Sequence, residues 1–539
     1  SKPMGKVINI LGNYSDSGIE IEIALRKHNL PYEFTKEVIE EAESFDPEVR
    51  EKDFKGRIDI RDLPLVTIDG ETARDFDDAV YVEQKKDSWR LVVAIADVSN
   101  YVKETSMLNE SAIERGNSVY FPRRVIPMLP EALSNGLCSL NPHVDRLCMV
   151  CDMTFDLNGD ITKYKFYPSV MNSKARLTYT IVDKILNKND QTLKKEYEKS
   201  YKDLVNLQNL FKLLSKKREK RGAIDFDSTE TSIVFNDKGK IDFIKPIYRN
   251  EAHRIIEECM LSANVCAANY LLDNPGDGIY RNHETPSEEK LTNLRDFLLD
   301  FGLTLGGGSE PTVKDYGEIL KKIANRPDAH LLQTVLLRSM QQAAYSSKNL
   351  GHFGLAYSAY THFTSPIRRY PDLLVHRAIK SQLDGKNPKI KNIEAIALHC
   401  STTERTADDA TRDVESWLKC YFMQDKVGDS FWGTVAGVTG FGLFIELDDI
   451  YIEGLLHVTE LGNDYFTFDK ARHAMVGEKT NLTYRLGDRL EIKVIRVDLD
   501  SIKIDLGLIG SQKKPSKKFK KSFIRAEKSK KKIKRRKKK

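Results

Sequence analysis

The sequence predicts an α+β multidomain fold: a mixed sheet with helices, then a small all-β barrel, then a disordered basic tail. Three observations carry this. Residues 50–180 read as strands and residues 190–425 as mostly helices. Residues 427–508 hold five short strand patterns separated by turn residues. Residues 511–539 hold 17 Lys and Arg against one acid, Glu527. At 539 residues the chain has room for three or four domains of ~150 residues, each with its own core.

The elements follow in order. GKVINILG and GIEIEIAL, within residues 1–34, alternate with period two and are read as strands ending one module. That module starts too abruptly to close a barrel alone, and Ser1 is not an initiator Met, so a fragment is expected. A short acidic helix is expected over roughly 35–46. LVTIDGETARDFDDAVYVE and WRLVVAIADVSNYV give two apolar strands around an acidic loop. Tyr197, Tyr201, Leu204, Leu207, Phe211 and Leu214 recur every three or four residues, which predicts a helix over 190–220 with a core-facing stripe. Gly222 ends it. Residues 250–300 read as helix, loop, helix. In 330–425, Pro366 and Pro371 are expected to keep YSAYTHFTSPIRRYPD out of helix. FWGTVAGV, FGLFIEL, EGLLHV, RLEIKVIRV and SIKIDLGL suit a Greek-key barrel of the OB type.

Composition narrows the function classes. A 40% hydrophobic fraction excludes a wholly disordered chain. No run approaches the ~18 apolar residues of a membrane span. The N-terminus lacks a signal-peptide core, so the cytoplasm is expected. Seven cysteines argue against a disulfide framework, and the single CxxC, Cys148 and Cys151, reads as two thiols in a buried strand. The net charge is +6, but the tail carries +16, leaving −10 on the rest. An acidic body with a basic tail points to a polyanionic partner, above all nucleic acid.

Two loops carry chemistry. Asp69, Asp75, Asp77 and Asp78 lie within ten residues, between apolar strands. Carboxylates this close raise one another's pKa unless a cation shares them. Mg²⁺ takes hard oxygen ligands and completes its shell with phosphate. In an extended segment Asp75 and Asp77 face one side and Asp78 the other. The second loop, Thr364–Asp372, sets Arg368 and Arg369 beside hydroxyls. Arg suits a phosphate and the charge that builds on it during transfer. A structural pair with Asp372 is the serious rival for Arg369. An acidic metal loop plus an arginine loop describes phosphodiester hydrolysis. In the barrel, Leu443, Ile445 and Leu447 alternate with Phe444, so Phe444 is expected to point outward. With Phe441 and His457 it would form a single-strand-binding face, the rival being a cap on the barrel end.

LPLVTIDGETARDFDDAVYVE, NSVYFPRRVIPMLPEALSNGLCSLNP, AHRIIEECMLSAN and YTHFTSPIRRYPDLLVHR stand in this order. Together they resemble the ribonuclease II/ribonuclease R family, the RNB exoribonucleases, with NSVYFP and the Lys-rich tail nearer the ribonuclease R branch. The resemblance implies a cold-shock remnant and linker over 1–49, an RNB catalytic domain over 50–425, an S1 RNA-binding domain over 427–508 and a tail over 511–539. It implies a processive 3′-to-5′ exoribonuclease that releases nucleoside 5′-monophosphates with Mg²⁺, acting on single-stranded RNA and RNA with 3′ overhangs. It further implies a monomer without membrane association, partners among ribosome-associated or other RNA-decay factors, and a role in RNA turnover. By motif, Asp69 and Asp78 resemble metal ligands and Asp75 completes the cluster. Asp77 resembles the acid whose loss stops cleavage but not binding, and Arg368 the arginine at the scissile phosphate. Tyr120 and Phe226 resemble aromatics that clamp the terminal nucleotide; without the family, core packing is as good a reading of both. Glu257 resembles a ribose-contacting acid. Thr411 departs from the pattern, standing where ribonuclease II carries an acid.

Overall fold

The computed structural model describes residues 6–509 apart from 8, 15, 225–229, 238, 327, 470 and 471. The basic tail and Phe226 lie outside the described residues.

Residues 50–180 build a seven-stranded mixed sheet. Its strands belong to the series β1 Ile58–Asp59, β2 Val66–Asp69, β3 Asp78–Gln84, β4 Trp89–Ala96, β5 Val119–Phe121, β6 Arg124–Ile126, β7 Asp145–Phe155, β8 Ile161–Asn172 and β9 Ala175–Thr178. The sheet order is β1-β8-β7-β4-β3-β2-β9, with β5 and β6 pairing separately. The β1–β8 and β2–β9 pairs are parallel; β2 through β8 otherwise pair antiparallel. β4 and β7 are buried almost throughout, so they read as continuous apolar runs rather than alternating ones. Cys148 and Cys151 sit inside β7, an odd number of residues apart and hence on opposite faces, where burial pushes both thiols up.

Three helices, Glu198–Arg221, Glu251–Asp273 and Tyr370–Leu383, lie side by side against the sheet. The first buries Leu204, Leu207, Leu210, Phe211 and Leu214 and stops at Gly222, which takes a left-handed φ of 82°. The third is anchored by Asp97, fully buried at the end of β4, which accepts from Lys380 at 2.5 Å and Arg57 at 2.7 Å.

Three expectations are corrected here. Ile19–Lys27 is a helix, not a strand, and the described residues of GKVINILG form no strand either. Its Ile/Glu alternation mimics a strand. In the fold Ile21 and Leu25, one turn apart, pack with Ala410, Val414 and Trp417 of the long helix Ile393–Met423, while Glu22 pairs with Arg26 and Arg124. Pro371 does not exclude helix: it stands in the first turn of Tyr370–Leu383, where a missing N–H costs nothing. Third, the acidic run is not one extended segment: residues 73–77 are irregular and β3 begins only at Asp78.

The C-terminal strands Ser430–Thr439, Gly442–Leu447, Ile452–His457, Arg489–Asp498 and Lys503–Leu508 close into the expected five-stranded barrel. An unexpected three-stranded sheet, Phe466–Asp469, Ala474–Gly477 and Thr483–Arg485, fills the connection between its third and fourth strands. The barrel core is continuous with the helices Glu288–Asp300, Val313–Ile323 and Ala329–Ser339. Among the described residues no helix is long and apolar enough to cross a membrane.

Candidate active site

The sheet brings the acids together at one edge. Asp69 ends β2 and Asp78 begins β3, and these strands pair through Val66 and Val80. The connection between them is tied down from outside. Phe76 N donates to Ser139 Oγ at 3.0 Å, and Arg176 of β9 donates to the carbonyls of Glu71 and Ala73. So fastened, Asp69, Asp75, Asp77 and Asp78 all line one cavity of about 1110 Å³.

The arginine loop closes the opposite wall. Asp372 is fully buried in the first turn of its helix, and its Oδ1 accepts from Ser365 N and from Arg369, both at 2.8 Å. Arg369 is therefore the buried partner of Asp372, the structural pairing weighed above. Arg368 turns the other way. Its side chain is 44% exposed, donates to Ser365 Oγ at 3.1 Å, and brings Nε to 3.9 Å from Asp77 Oδ2. The loop and the acids are joined directly: Ile367 N donates to Asp77 Oδ1 at 2.9 Å. Ser118 N donates to the Arg368 carbonyl at 2.9 Å, which ties the same loop to the segment entering β5.

Tyr120 is at the centre of β5, 42% exposed, with its hydroxyl donating to Asp75 Oδ2 at 2.9 Å. It is a cavity residue, not a core aromatic. Glu257 lines the same cavity and pairs with Arg218 at 3.1 Å and with Arg249. Tyr179, stacked on His253 with ring centroids 3.9 Å apart, and the 80%-exposed Tyr248 also line it. Sequence reasoning missed these three. Asn250, which caps the helix that carries His253, was the one local signal.

The electrostatics of the wall are unfinished. Burial pushes the Asp77 carboxyl well up against the pull of Arg368, and pushes Asp78 up to about 7 with help from Asp69. Asp69 is raised too, chiefly by burial and in part by Asp75. Asp77 Oδ2 is buried without a hydrogen-bond partner. A hard cation at these oxygens would reverse all four effects, so the donor chemistry fits one. Among the described residues, no three Asp, Glu, His or Cys side chains form a ready-made metal cage. Such a donor set suits an ion that keeps water and borrows ligands from substrate.

On the barrel, Phe441 is 50% exposed and meets Phe444 edge-on at 5.8 Å. Phe444 faces outward while Leu443, Ile445 and Leu447 are fully buried. His457 pairs across the ladder with Gly442, beside Phe441, and is exposed.

Comparison with known proteins agrees with this arrangement. The RNB domain family matches residues 57–385, the S1 RNA binding domain residues 424–509, and the cold shock domain residues 1–35. Ribonuclease R of Escherichia coli (strain K12) is 51% identical over 529 residues, 96% of this chain and 65% of the relative. The chain thus spans less than two thirds of that relative's length. Two solved structures of Mycoplasma genitalium RNase R superpose on it. The complex with ribose-methylated single-stranded RNA has a TM-score of 0.86 at 33% identity, covering 93% of this chain and 79% of that one. The complex with double-stranded RNA has a TM-score of 0.81 at 31% identity, covering 93% and 84%. A mixed sheet edged by four acids, faced by the arginine loop and followed by an S1 barrel, places this chain in the RNB family.

Proposed function

We propose that this chain is a Mg²⁺-dependent exoribonuclease that hydrolyses RNA processively from the 3′ end and releases nucleoside 5′-monophosphates. The observation that carries the reading is Arg368 on the same cavity as four carboxylates, 3.9 Å from Asp77, with the Tyr120 hydroxyl on Asp75. Asp69, Asp75, Asp77 and Asp78 would hold Mg²⁺, and bound there it would offset phosphate charge and lower the pKa of a coordinated water. Arg368 offsets charge on the non-bridging oxygens of the scissile phosphate. Tyr120 gives a stacking face that tolerates any base, and Phe226 is proposed as its counterpart. Glu257, steadied by Arg218 and Arg249, accepts from a ribose hydroxyl, so that RNA is read as RNA. Phe441, Phe444 and His457 grip the strand farther from the reaction, and the basic tail adds salt-dependent attraction.

Single-stranded RNA and RNA with a 3′ overhang are the proposed substrates. Binding of double-stranded RNA by the Mycoplasma relative supports action on structured RNA. A cytoplasmic monomer working with ribosome-associated or other RNA-decay factors completes the proposal. The test is a uniformly labelled RNA, with 5′-labelled and 3′-labelled copies beside it, with and without EDTA, alongside a duplex with a 3′ overhang. Mononucleotides released only in the presence of the metal are expected, with early loss of the 3′ label and few intermediates between full-length RNA and the short end product. Binding without release would make the chain a non-catalytic RNA binder, and release unaffected by EDTA would remove Mg²⁺ from the mechanism.

A further inference from the structure

On the far side of Tyr120 and Arg368 lies a second cavity, of about 620 Å³. Tyr120, Arg368 and Arg369 line both cavities, so these side chains form the partition between them. The outer wall comes from the long helix Ile393–Met423, through Glu404, Asp408 and Glu415. Gln342 and Asp408 are exposed, and the cavity opens to solvent past them.

We infer that this second cavity is the release vestibule for the nucleoside 5′-monophosphate product. The inference rests on the hydrolytic reading above. Its first support is steric. A strand held by its 3′ end fills the acidic cavity, so the severed nucleotide cannot retreat along the path of the chain that still occupies it. The second cavity begins where the terminal nucleotide would end, at Tyr120 and Arg368. Its second support is size, which lies in the roughly 300–1,000 Å³ range of small-ligand sites. A nucleotide fits such a space and a folded RNA does not.

The third support is the order of charges. Arg368 stands exposed on the shared wall, where a phosphate arrives, while Arg369 beside it is held by Asp372. Arg281 holds Glu404 in a bidentate pair at 2.5 and 2.8 Å, which neutralises it. Asp408, Arg412 and Glu415 then line the outward path, with Arg412 paired to Asp409 at 2.5 Å. Past Arg368 the cations that line the path are already paired, Arg369 with Asp372 and Arg412 with Asp409, so none of them retains a dianionic product. Asp408 and Glu415 oppose a threaded RNA backbone, with its row of phosphates, more than a single departing mononucleotide, which confines the 3′ end to the cavity that holds the four aspartates.

Rapid-quench kinetics on the full chain with a single-stranded RNA separate the first mononucleotide released from later cycles. Gln342→Trp, at an exposed rim position, plugs the opening. Its first cleavage is expected within about twofold of wild type, and later cycles about tenfold slower. Asp408→Lys replaces repulsion by attraction. Inhibition by added AMP is expected to strengthen by about fivefold or more, again with the first cleavage unchanged. Coincident melting curves check that both variants fold; if one does not, the other decides. Wild-type cycling and wild-type AMP inhibition in the folded variants would overturn the vestibule while leaving hydrolysis intact. A slowed first cleavage in Gln342→Trp would overturn it by making the cavity part of the substrate path. No mononucleotide from wild type would overturn the hydrolytic reading itself, and the vestibule with it.

Discussion

Asp77 and Phe441 are both proposed to meet RNA, yet Asp77 is 5% exposed and Phe441 50%. The difference runs through the whole of each region. In the cavity, carboxylates are drawn out of water and held by partners far away in the chain: Ile367 for Asp77, Ser139 and Arg176 for the loop around it. On the barrel, the aromatics stand in water and lean on local neighbours, Phe444 beside Phe441 and the Val458 amide on the Phe441 carbonyl. A group that must act on a phosphate at fixed distance is over-determined by the fold and destabilised by it. A group that only grips needs area and exposure, and costs the fold little. Changes in the cavity should therefore alter rate and stability, and changes on the barrel should alter affinity alone.

The hardest test of that contrast is Asp77→Asn. The amide oxygen can still accept from Ile367 N, so the loop keeps its place, and one negative charge is lost from the wall. Single-turnover cleavage should fall by at least about 10²–10³-fold, while filter binding shows an unchanged or lower Kd. Parallel loss of both would make Asp77 a residue of the RNA path or the fold.

Tyr120→Ala comes next, because Tyr120 stands between the two kinds of group. Loss of one stacking face costs about 1–3 kcal/mol of hold on the terminal nucleotide. The shortest fragment the enzyme retains should lengthen, as read on a gel, with cleavage of long RNA persisting. An unaltered end product at normal rate would deny it the clamp.

Phe441→Ala and Phe444→Ala should each weaken binding of long single-stranded RNA by roughly tenfold, within the 1–3 kcal/mol of a stacked base. Cleavage at saturating RNA should not change. A lower saturated rate would place the barrel in the chemistry and break the contrast.

The smallest effect is on stability. Burial raises Asp78 from 3.8 to about 7, so the folded chain favours its protonated form. For an acid raised on folding, the penalty grows as pH climbs from about 4 to 7 and is full above that. Metal-free Asp78→Asn should accordingly be more stable than wild type at pH 8, with the gap closing near pH 4. Chemical denaturation in EDTA at both pH values measures it, and a gap independent of pH would contradict the burial argument.

Much of this site was legible because its residues are local. Four aspartates between apolar strands and two arginines in a proline-bound loop announce themselves within short windows, as does the alternation that turns Phe444 outward. Other features were not legible, for physical reasons. The alternation of Ile and Glu at 19–23 fits a strand or one face of a short helix, and packing with Ala410, Val414 and Trp417 chose the helix. Tyr179 and His253 belong to different helices and meet only because those helices pack together. The separate fates of Arg368 and Arg369 depended on which way each side chain turned from an irregular backbone.

By itself the sequence determined the order of domains, the strand pattern of the barrel, the acidic and arginine loops and the charge of the tail, since each depends on residue type and short-range spacing. Tertiary structure alone decided that these loops face each other. The hydrogen bond from Ile367 N to Asp77 Oδ1 spans 290 residues. No local pattern encodes a contact at that separation. It forms because the sheet and the helix layer bury their apolar faces against each other, and that burial sets the arginine loop against the acidic wall.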